Sequence, residues 1–451
     1  MKKTKLVVIG GDAAGMSAAS KVRREQPDFE IIVFEKSEYT SYSACGIPYF
    51  ISGKVEELDE LIVRSPTQFI EKYNIQAKTL HEVLEVDTDQ NRILVCNRKD
   101  KTQFWESYDA LLIATGGKAF CPEVKNHTAN GIFGIQTLTS GSKVDTFLKK
   151  HQPKSAVIIG GGYIGLEMAE ALILRGMKVT IVDRAPEVMS TLDPDMGKKV
   201  HEALENLGVE IFNSESLDHF EEKDGLVSAV VTDKQTIKTN LVILGMGTAP
   251  NTSFLINSNI ELSEKKAIKV NDKQQTNVKN VWSAGDCAET LHLVSNKPFY
   301  IALGTVANKT GLVAGTNIAG GDLKFPGVVA TAVCKICVHE IARTGLLEKE
   351  CVDLKIDFVS TIIKSKTRAH YYPEAKDIFV KLIAEKGTGK LLGGQIIGEE
   401  GAAKRIDVLA TALTYKLTLQ NIIDLDLSYA PPFSPVWDPV QTAARKLIGM
   451  I

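Results

Sequence analysis

No stretch of this 451-residue chain approaches the ~18 consecutive apolar residues that cross a bilayer. Behind the Lys-rich start, Leu6-Val7-Val8-Ile9 halts after four residues at Gly10-Gly11-Asp12, too short for the apolar region of a secretory leader. Charge of one sign is also lacking. The net charge is -2, so no bulk attraction to nucleic acid or a membrane surface is implied, and the cytoplasm is the expected place. Cysteine is scarce, and its count of seven is odd, at 45, 96, 121, 287, 334, 337 and 351, which argues against a secreted disulfide framework. Cys334-Lys335-Ile336-Cys337 has redox or half-zinc spacing, but no second pair or His-rich cluster completes a metal site. The pair sits in an apolar, strand-like run, Val328–Ile341, so two buried structural thiols and no metal are expected. Low-complexity segments and short repeats are absent. What remains is ordinary globular composition, 44% apolar and 24% charged, at a length that calls for two to four domains.

The strongest positive signal is a motif that occurs twice. Lys5–Ile9 reads as a buried parallel strand, Gly10 to Gly15 as a Gly-rich turn, and Met16–Gln26 as the helix that follows. Glu35 ends the next strand about 20 residues on, the order of a dinucleotide site: tight turn, helix N-terminus for pyrophosphate, carboxylate for a ribose hydroxyl. Asp12 stands where the middle glycine belongs, so the backbone is expected to approach the phosphates less freely. The second copy is complete. Strand Ser155–Ile159 leads to Gly160, Gly162 and Gly165, helix Leu166–Arg175, and a strand ending at Asp183. Two dinucleotides in one chain imply electron transfer between them, and a flavin with a nicotinamide is the natural pair. Asp183 favours NADH over NADPH, because a carboxylate bonds the 2′-hydroxyl and repels a 2′-phosphate; the adjacent Arg184 could bind that phosphate.

Three further stretches set the architecture. Leu111 to Gly117 and Leu241 to Gly247 are strands running into glycine turns, where the chain could leave one unit and return to it. Val281-Trp282-Ser283-Ala284-Gly285-Asp286 puts an aspartate after a buried strand, within reach of a ribityl hydroxyl. The expected fold is α/β, with two Rossmann-like domains, the second inserted in the first, and a C-terminal α+β domain. The first domain takes residues 1–118 and 249–325, the second 119–248, the third 326–451. In the third, Ile378–Ala384 and Lys390–Ile397 read as strands and Ala402–Tyr415 as a helix.

Between the first two motifs lies Ser41-Tyr42-Ser43-Ala44-Cys45-Gly46-Ile47-Pro48-Tyr49, a single cysteine in a Gly/Pro setting. With the two dinucleotide motifs, Ala284-Gly285-Asp286, and the tail Tyr429-Ala430-Pro431-Pro432-Phe433-Ser434-Pro435-Val436-Trp437-Asp438-Pro439, the chain resembles the flavin-dependent pyridine nucleotide-disulfide oxidoreductases over essentially its full length. Within them it is most similar to the coenzyme A-disulfide reductase branch. The resemblance implies FAD at Gly10, Gly11, Ala14, Gly15, Glu35, Lys36, Thr115, Gly116 and Asp286. It implies NAD(P)H at Gly160, Gly162, Tyr163, Ile164, Gly165, Asp183 and Gly247. Dithiol members carry a second cysteine where Ser41 stands, so Cys45 lacks an internal partner. It is then expected to cycle through a mixed disulfide with a small thiol or through sulfenic acid.

In the disulfide route the Cys45 thiol needs a depressed pKa, supplied by dipoles and the flavin. No histidine follows His370, so the histidine acid of dithiol members is missing. The resemblance implies that Tyr371 and Tyr429, from the third domain of a partner subunit, take its place; a homodimer is expected on that ground. It also implies coenzyme A contacts at Ser17, Lys21, Arg24, Ser41, Lys72 and Asn308. Ser17, Lys21 and Arg24 share one helix face by spacing alone. Ala44 departs from the asparagine of the branch, which leaves the substrate thiol open between coenzyme A disulfide and a coenzyme A-dependent persulfide or polysulfide. A fused sulfurtransferase domain is not expected after the tail. Oxidase and peroxidase relatives carry a histidine at the position of Ala13, which disfavours that chemistry here. A non-enzymatic redox sensor is disfavoured by the intact second motif.

Overall fold

The computed structural model describes residues 3–451. Strand β1 (Lys5–Ile9) is an apolar run covered on both faces, as a central parallel strand requires. It is flanked by β2 (Glu30–Phe34) and by Ala110–Ile113, in a five-stranded sheet ordered Val281–Ser283, Ala110–Ile113, β1, β2, β3 (Gln76–Lys78). Helix α1 (Ala13–Glu25) packs against Gly304–Ile318 at backbone contact. A Cβ on Gly311 would lie 2.4 Å from the Ala14 oxygen. Two short helices follow, α2 (Ile47–Ser52) and α3 (Pro66–Tyr73).

Before the chain supplies Val281–Ser283, it builds a second parallel sheet behind α4 (Leu138–His151) and α5 (Tyr163–Leu174). That sheet is ordered Glu210–Asn213, Lys178–Asp183, Ser155–Ile159, Val242–Leu244, Ile132–Gly134. Gly117–Ala119 and Thr248–Pro250 pair antiparallel, so the outgoing and returning strands lie side by side. Residues beyond Phe325 form a five-stranded antiparallel sheet, with Ile406–Thr414 and Pro439–Ile448 packed on its apolar face. The architecture is mixed α/β throughout.

Helix boundaries differ from expectation in three places. α1 starts at Ala13 because Asp12 takes the N-cap position, and α5 starts at Tyr163 because Gly162 does the same. The expected helix over Ala402–Tyr415 is a tight turn, Ala403–Arg405, followed by Ile406–Thr414. Its Arg405 guanidinium donates to the carbonyls of Gly401, Thr367 and Phe433, and to the Asp438 carboxylate at 2.9 Å. Arg405 thereby ties the tyrosine-bearing tail to the sheet.

A buried charge cluster joins the second sheet's unit to the third. The Lys381 ammonium, 1% exposed, sits 3.1 Å from Asp193, 2.7 Å from Asp195 and 2.9 Å from Glu348. Gln395 donates to Asp193 at 2.6 Å and accepts from its backbone N–H.

Candidate active site

Each glycine turn is shaped by close backbone approach. Gly10 has φ +106°, and a Cβ there would stand 2.2 Å from the Ala114 oxygen, so only glycine fits. Above it, Glu35 accepts from Gly11 N–H at 2.9 Å and from Ser37 N–H at 2.8 Å. The second copy repeats this: Asp183 accepts from Gly161 N–H at 2.7 Å and Ala185 N–H at 2.8 Å. Both carboxylates are thus oriented by the loop they serve, at the carboxyl ends of parallel strands where nucleotides bind. Gly160, Gly165, Tyr163 and Ile164 form the turn and first residues of α5, and Gly247 lies exposed beyond Val242–Leu244.

A cavity of about 320 Å³ opens at the first turn, lined among others by Gly10, Glu35, Lys36, Thr115 and Asn251. Gly15 and Ala14 begin α1 beneath it, and Gly116 follows Thr115 at φ +66°. After strand Val281–Ser283, Asp286 Oδ1 is buried with no hydrogen-bond partner among the described residues, and burial pushes this carboxyl up to about 6. An orphaned acceptor there suits a ribityl hydroxyl. Cavity, glycine cradle and the unpartnered Asp286 Oδ1 together fit FAD.

Cys45 lies in a tight turn, Ala44–Gly46, at the start of α2. Its loop is pinned from three sides. Ser41 adopts φ +48° and donates its N–H to the Gly11 oxygen at 2.9 Å. The Ser41 carbonyl accepts from Val63 N–H at 2.8 Å. Tyr42 N–H donates to Asp12 Oδ1 at 3.0 Å. A non-glycine residue in the left-handed region persists only where its surroundings impose it. Asp12, expected to hinder phosphate approach, instead turns its side chain to the cysteine loop. Burial raises its carboxyl to about 7, against the hydrogen bond from Tyr42.

The expected depression of the thiol is not supplied by this chain. Cys45 is an exposed residue, yet the walls around its sulfur raise the pKa, and Glu167, Asp286 and Asp12 raise it further. Dipoles of the short turn oppose this only weakly.

Glu167 was not singled out by the sequence reading, although two acids in the otherwise apolar α5 are a visible signal. Glu170, three residues on, is paired. It accepts from Lys54 at 2.6 Å, Lys335 at 3.3 Å and Cys337 N–H at 3.0 Å, so one carboxylate joins the segment after α2, helix α5 and the third unit behind Cys45. Burial opposes ionisation of Glu170, but those three donors outweigh it and its pKa is lowered. Among the described residues no cation pairs with Glu167; burial and then Glu170 push it up to about 7. Above that pH its charge opposes the thiolate. Glu167→Gln is therefore expected to lower the Cys45 pKa and speed iodoacetamide labelling of Cys45 several-fold at pH 8. An unchanged rate–pH profile would contradict this.

The remaining predicted residues fall into two groups. On α1, Ser17 donates to Asn308 at 2.9 Å, Lys21 pairs with Glu25, and Arg24 lies in the exposed last turn. Lys72 is exposed in the last turn of α3. Tyr371 and Tyr429 adjoin, and the hydrogen bond to Tyr429 is the main cause raising the Tyr371 phenol. They are 65% and 47% exposed beside Phe433 and Val436, 74% and 69% exposed, an apolar face unfinished within one protomer. Cys334 is buried in a strand and Cys337 opens the hairpin turn at φ 51°. Three residues of extended strand separate their Cα atoms by about 10 Å, beyond disulfide reach.

This geometry agrees with known proteins. The profile described as "Pyridine nucleotide-disulphide oxidoreductase" matches residues 4–311, and its "dimerisation domain" matches 331–439. An "NAD(P)H coenzyme A polysulfide/persulfide reductase" of Pyrococcus horikoshii is 38% identical over 99% of this chain and 98% of its own. A "Coenzyme A disulfide reductase" of Staphylococcus haemolyticus is 32% identical over 98% and 99%. The solved structure of a NAD-dependent persulfide reductase from A. fulgidus superimposes with a TM-score of 0.96 at 35% identity, covering 99% of this chain and 83% of that one. No helix of the described residues is long and apolar enough to cross a membrane. The chain belongs to the pyridine nucleotide-disulphide oxidoreductase family and carries its dimerisation domain.

Proposed function

We propose that this chain is a homodimeric FAD enzyme that uses NADH, and NADPH less readily, to reduce a low-molecular-weight disulfide, coenzyme A disulfide foremost. The observation that carries the reading is the isolation of Cys45: it is exposed, its loop is pinned, and Ser41 occupies the place of a partner thiol. The second sulfur, or an oxygen, must then come from outside.

The Cys45 thiolate attacks one sulfur of RS–SR, forming Cys45–S–S–R and releasing RS⁻. When bound, FAD supplies the two-electron link between NAD(P)H and that mixed disulfide. Reduction frees the second RSH and returns Cys45 to the thiolate. Each leaving sulfur needs a proton, which Tyr371 and Tyr429 of a partner subunit would provide across the dimer axis. Asp183, fixed by Gly161 and Ala185, accepts from the ribose of NADH, and exposed Arg184 gives NADPH a contact. We place the enzyme in the cytoplasm, where its seven unpaired cysteines would stay reduced.

Tyr429→Phe is expected to slow thiol release by about 10²-fold while leaving NADH-driven flavin bleaching nearly unchanged. Stopped-flow absorbance separates the two steps, and equal slowing of both would remove Tyr429 from the proton role. A second reading, reduction of a coenzyme A-bound persulfide or polysulfide, is supported by the names of the Pyrococcus and A. fulgidus relatives. Reduction of oxygen through a Cys45 sulfenate is the third. Ala13 weighs against it, because that position offers no acid–base group.

A further inference from the structure

We infer that Arg64, stacked on Tyr73, is a phosphate contact for the nucleotide end of the substrate; this deepens the coenzyme A reading and rests on it. Helix α1 begins at the redox loop, where Asp12 receives Tyr42 N–H. It ends beside the C-terminus of α3, where Arg23 donates to the Asn74 carbonyl at 2.8 Å. Its 13 residues span about 20 Å. One rigid helix thus separates the reactive sulfur from a cationic end, matching a long thiol that carries phosphate at its far end.

A second path leads to the same place. Ile62 bridges Tyr42, and Val63 N–H and Arg64 N–H both reach the Ser41 carbonyl, at 2.8 and 3.3 Å. This segment brings Arg64 from the side of the cysteine loop to the edge of α3. There the guanidinium carbon lies 5.1 Å from the centroid of the Tyr73 ring, which Phe69 holds in turn at 5.9 Å. The cation–π contact holds the guanidinium over the ring and occupies none of its N–H donors. Three nearby cations are less available. Lys21 is paired with Glu25, and Arg23 is spent on the Pro27 and Asn74 carbonyls. Lys72 follows Glu71 on α3 and has no comparable support. Among the described residues Arg64 makes no ion pair. It is the preorganised cation of these four, suited to the planar, two-pronged recognition of a phosphate ester.

The test is calorimetric binding of 3′-phosphoadenosine 5′-diphosphate to the FAD-loaded dimer. Arg64→Ala is expected to weaken it about tenfold, and Arg64→Lys and Tyr73→Leu by less. In turnover, KM for coenzyme A disulfide should rise about tenfold at unchanged kcat, while KM for pantethine, the same arm without the nucleotide, should not move. No binding to the wild type, equal binding to Arg64→Ala, or an equal rise with pantethine would overturn the assignment. A wild type that binds the nucleotide but leaves coenzyme A disulfide unreduced would overturn the proposed reaction and leave the Arg64 site standing.

Discussion

Cys45→Ser protein will fold, take up FAD, oxidise NADH slowly in air, and reduce disulfides at least about 10³-fold more slowly than wild type. The loop survives the change because its anchors lie elsewhere. They are the backbone of Ser41, Tyr42 and Val63 and the Asp12 carboxylate. Serine is isosteric with cysteine but is not a nucleophile at neutral pH without an adjacent base. The groups facing position 45 are the carboxyls Glu167, Asp286 and Asp12, each pushed up to between about 6 and about 7 by burial. None is placed by a hydrogen bond to this side chain. The check is steady-state turnover of coenzyme A disulfide beside anaerobic flavin reduction by NADH. Retained turnover with intact flavin reduction would remove Cys45 from the chemistry.

Lys381→Met will destabilise the dimer by about 3–5 kcal/mol, the largest stability effect expected of any single substitution considered. Removing the ammonium leaves Asp193, 2% exposed, beside Asp195 and Glu348 with no counter-charge. Burial opposes a charged Lys381, yet its bonds to those three acids outweigh this and its pKa is raised. Neutralising the acids as well, in Lys381→Met with Asp193→Asn, Asp195→Asn and Glu348→Gln, should recover a large part of the loss, because the penalty lies in the stranded charges. Denaturation midpoints at one fixed protein concentration report both variants. A neutral single variant would show that the junction between the two units does not depend on this cluster.

How legible these features were depends on distance along the chain. The two glycine turns, Glu35 and Asp183 were visible because strand, turn, helix and acid follow one another within about 25 residues, and Asp286 because it directly follows a buried strand and a small-residue turn. Cys45 was visible as a lone cysteine in a Gly/Pro-rich stretch, and Ser41 as the place of its missing partner came with the family resemblance. Lys381 was not, since its three acids lie on two other segments, and nothing in Phe379-Val380-Lys381-Leu382 distinguishes a buried ammonium from an edge-strand lysine. Arg405 escaped for the same reason. A run of Ala402–Tyr415 reads as one helix until the guanidinium is seen to hold Thr367, Phe433 and Asp438. The protein's own influence on the Cys45 thiol was the least legible of these features. An acidic thiol was expected from the chemistry Cys45 must perform, with dipoles and the flavin to supply it, whereas the chain's own effect comes first from burial of the sulfur and then from Glu167, a residue of α5 brought close by the packing of α2 on that helix. Glu170 and Glu167, three residues apart on one helix, titrate in opposite directions because only the first meets Lys54 and Lys335.

The central claim is that Cys45 forms a mixed disulfide with coenzyme A. Its most direct measurement is the intact mass of the protein under non-reducing conditions after exposure to coenzyme A disulfide. The account predicts one added coenzyme A per chain, removed by dithiothreitol and absent from Cys45→Ser. No adduct on the wild type, or a gain of one or two oxygen masses instead, would contradict it.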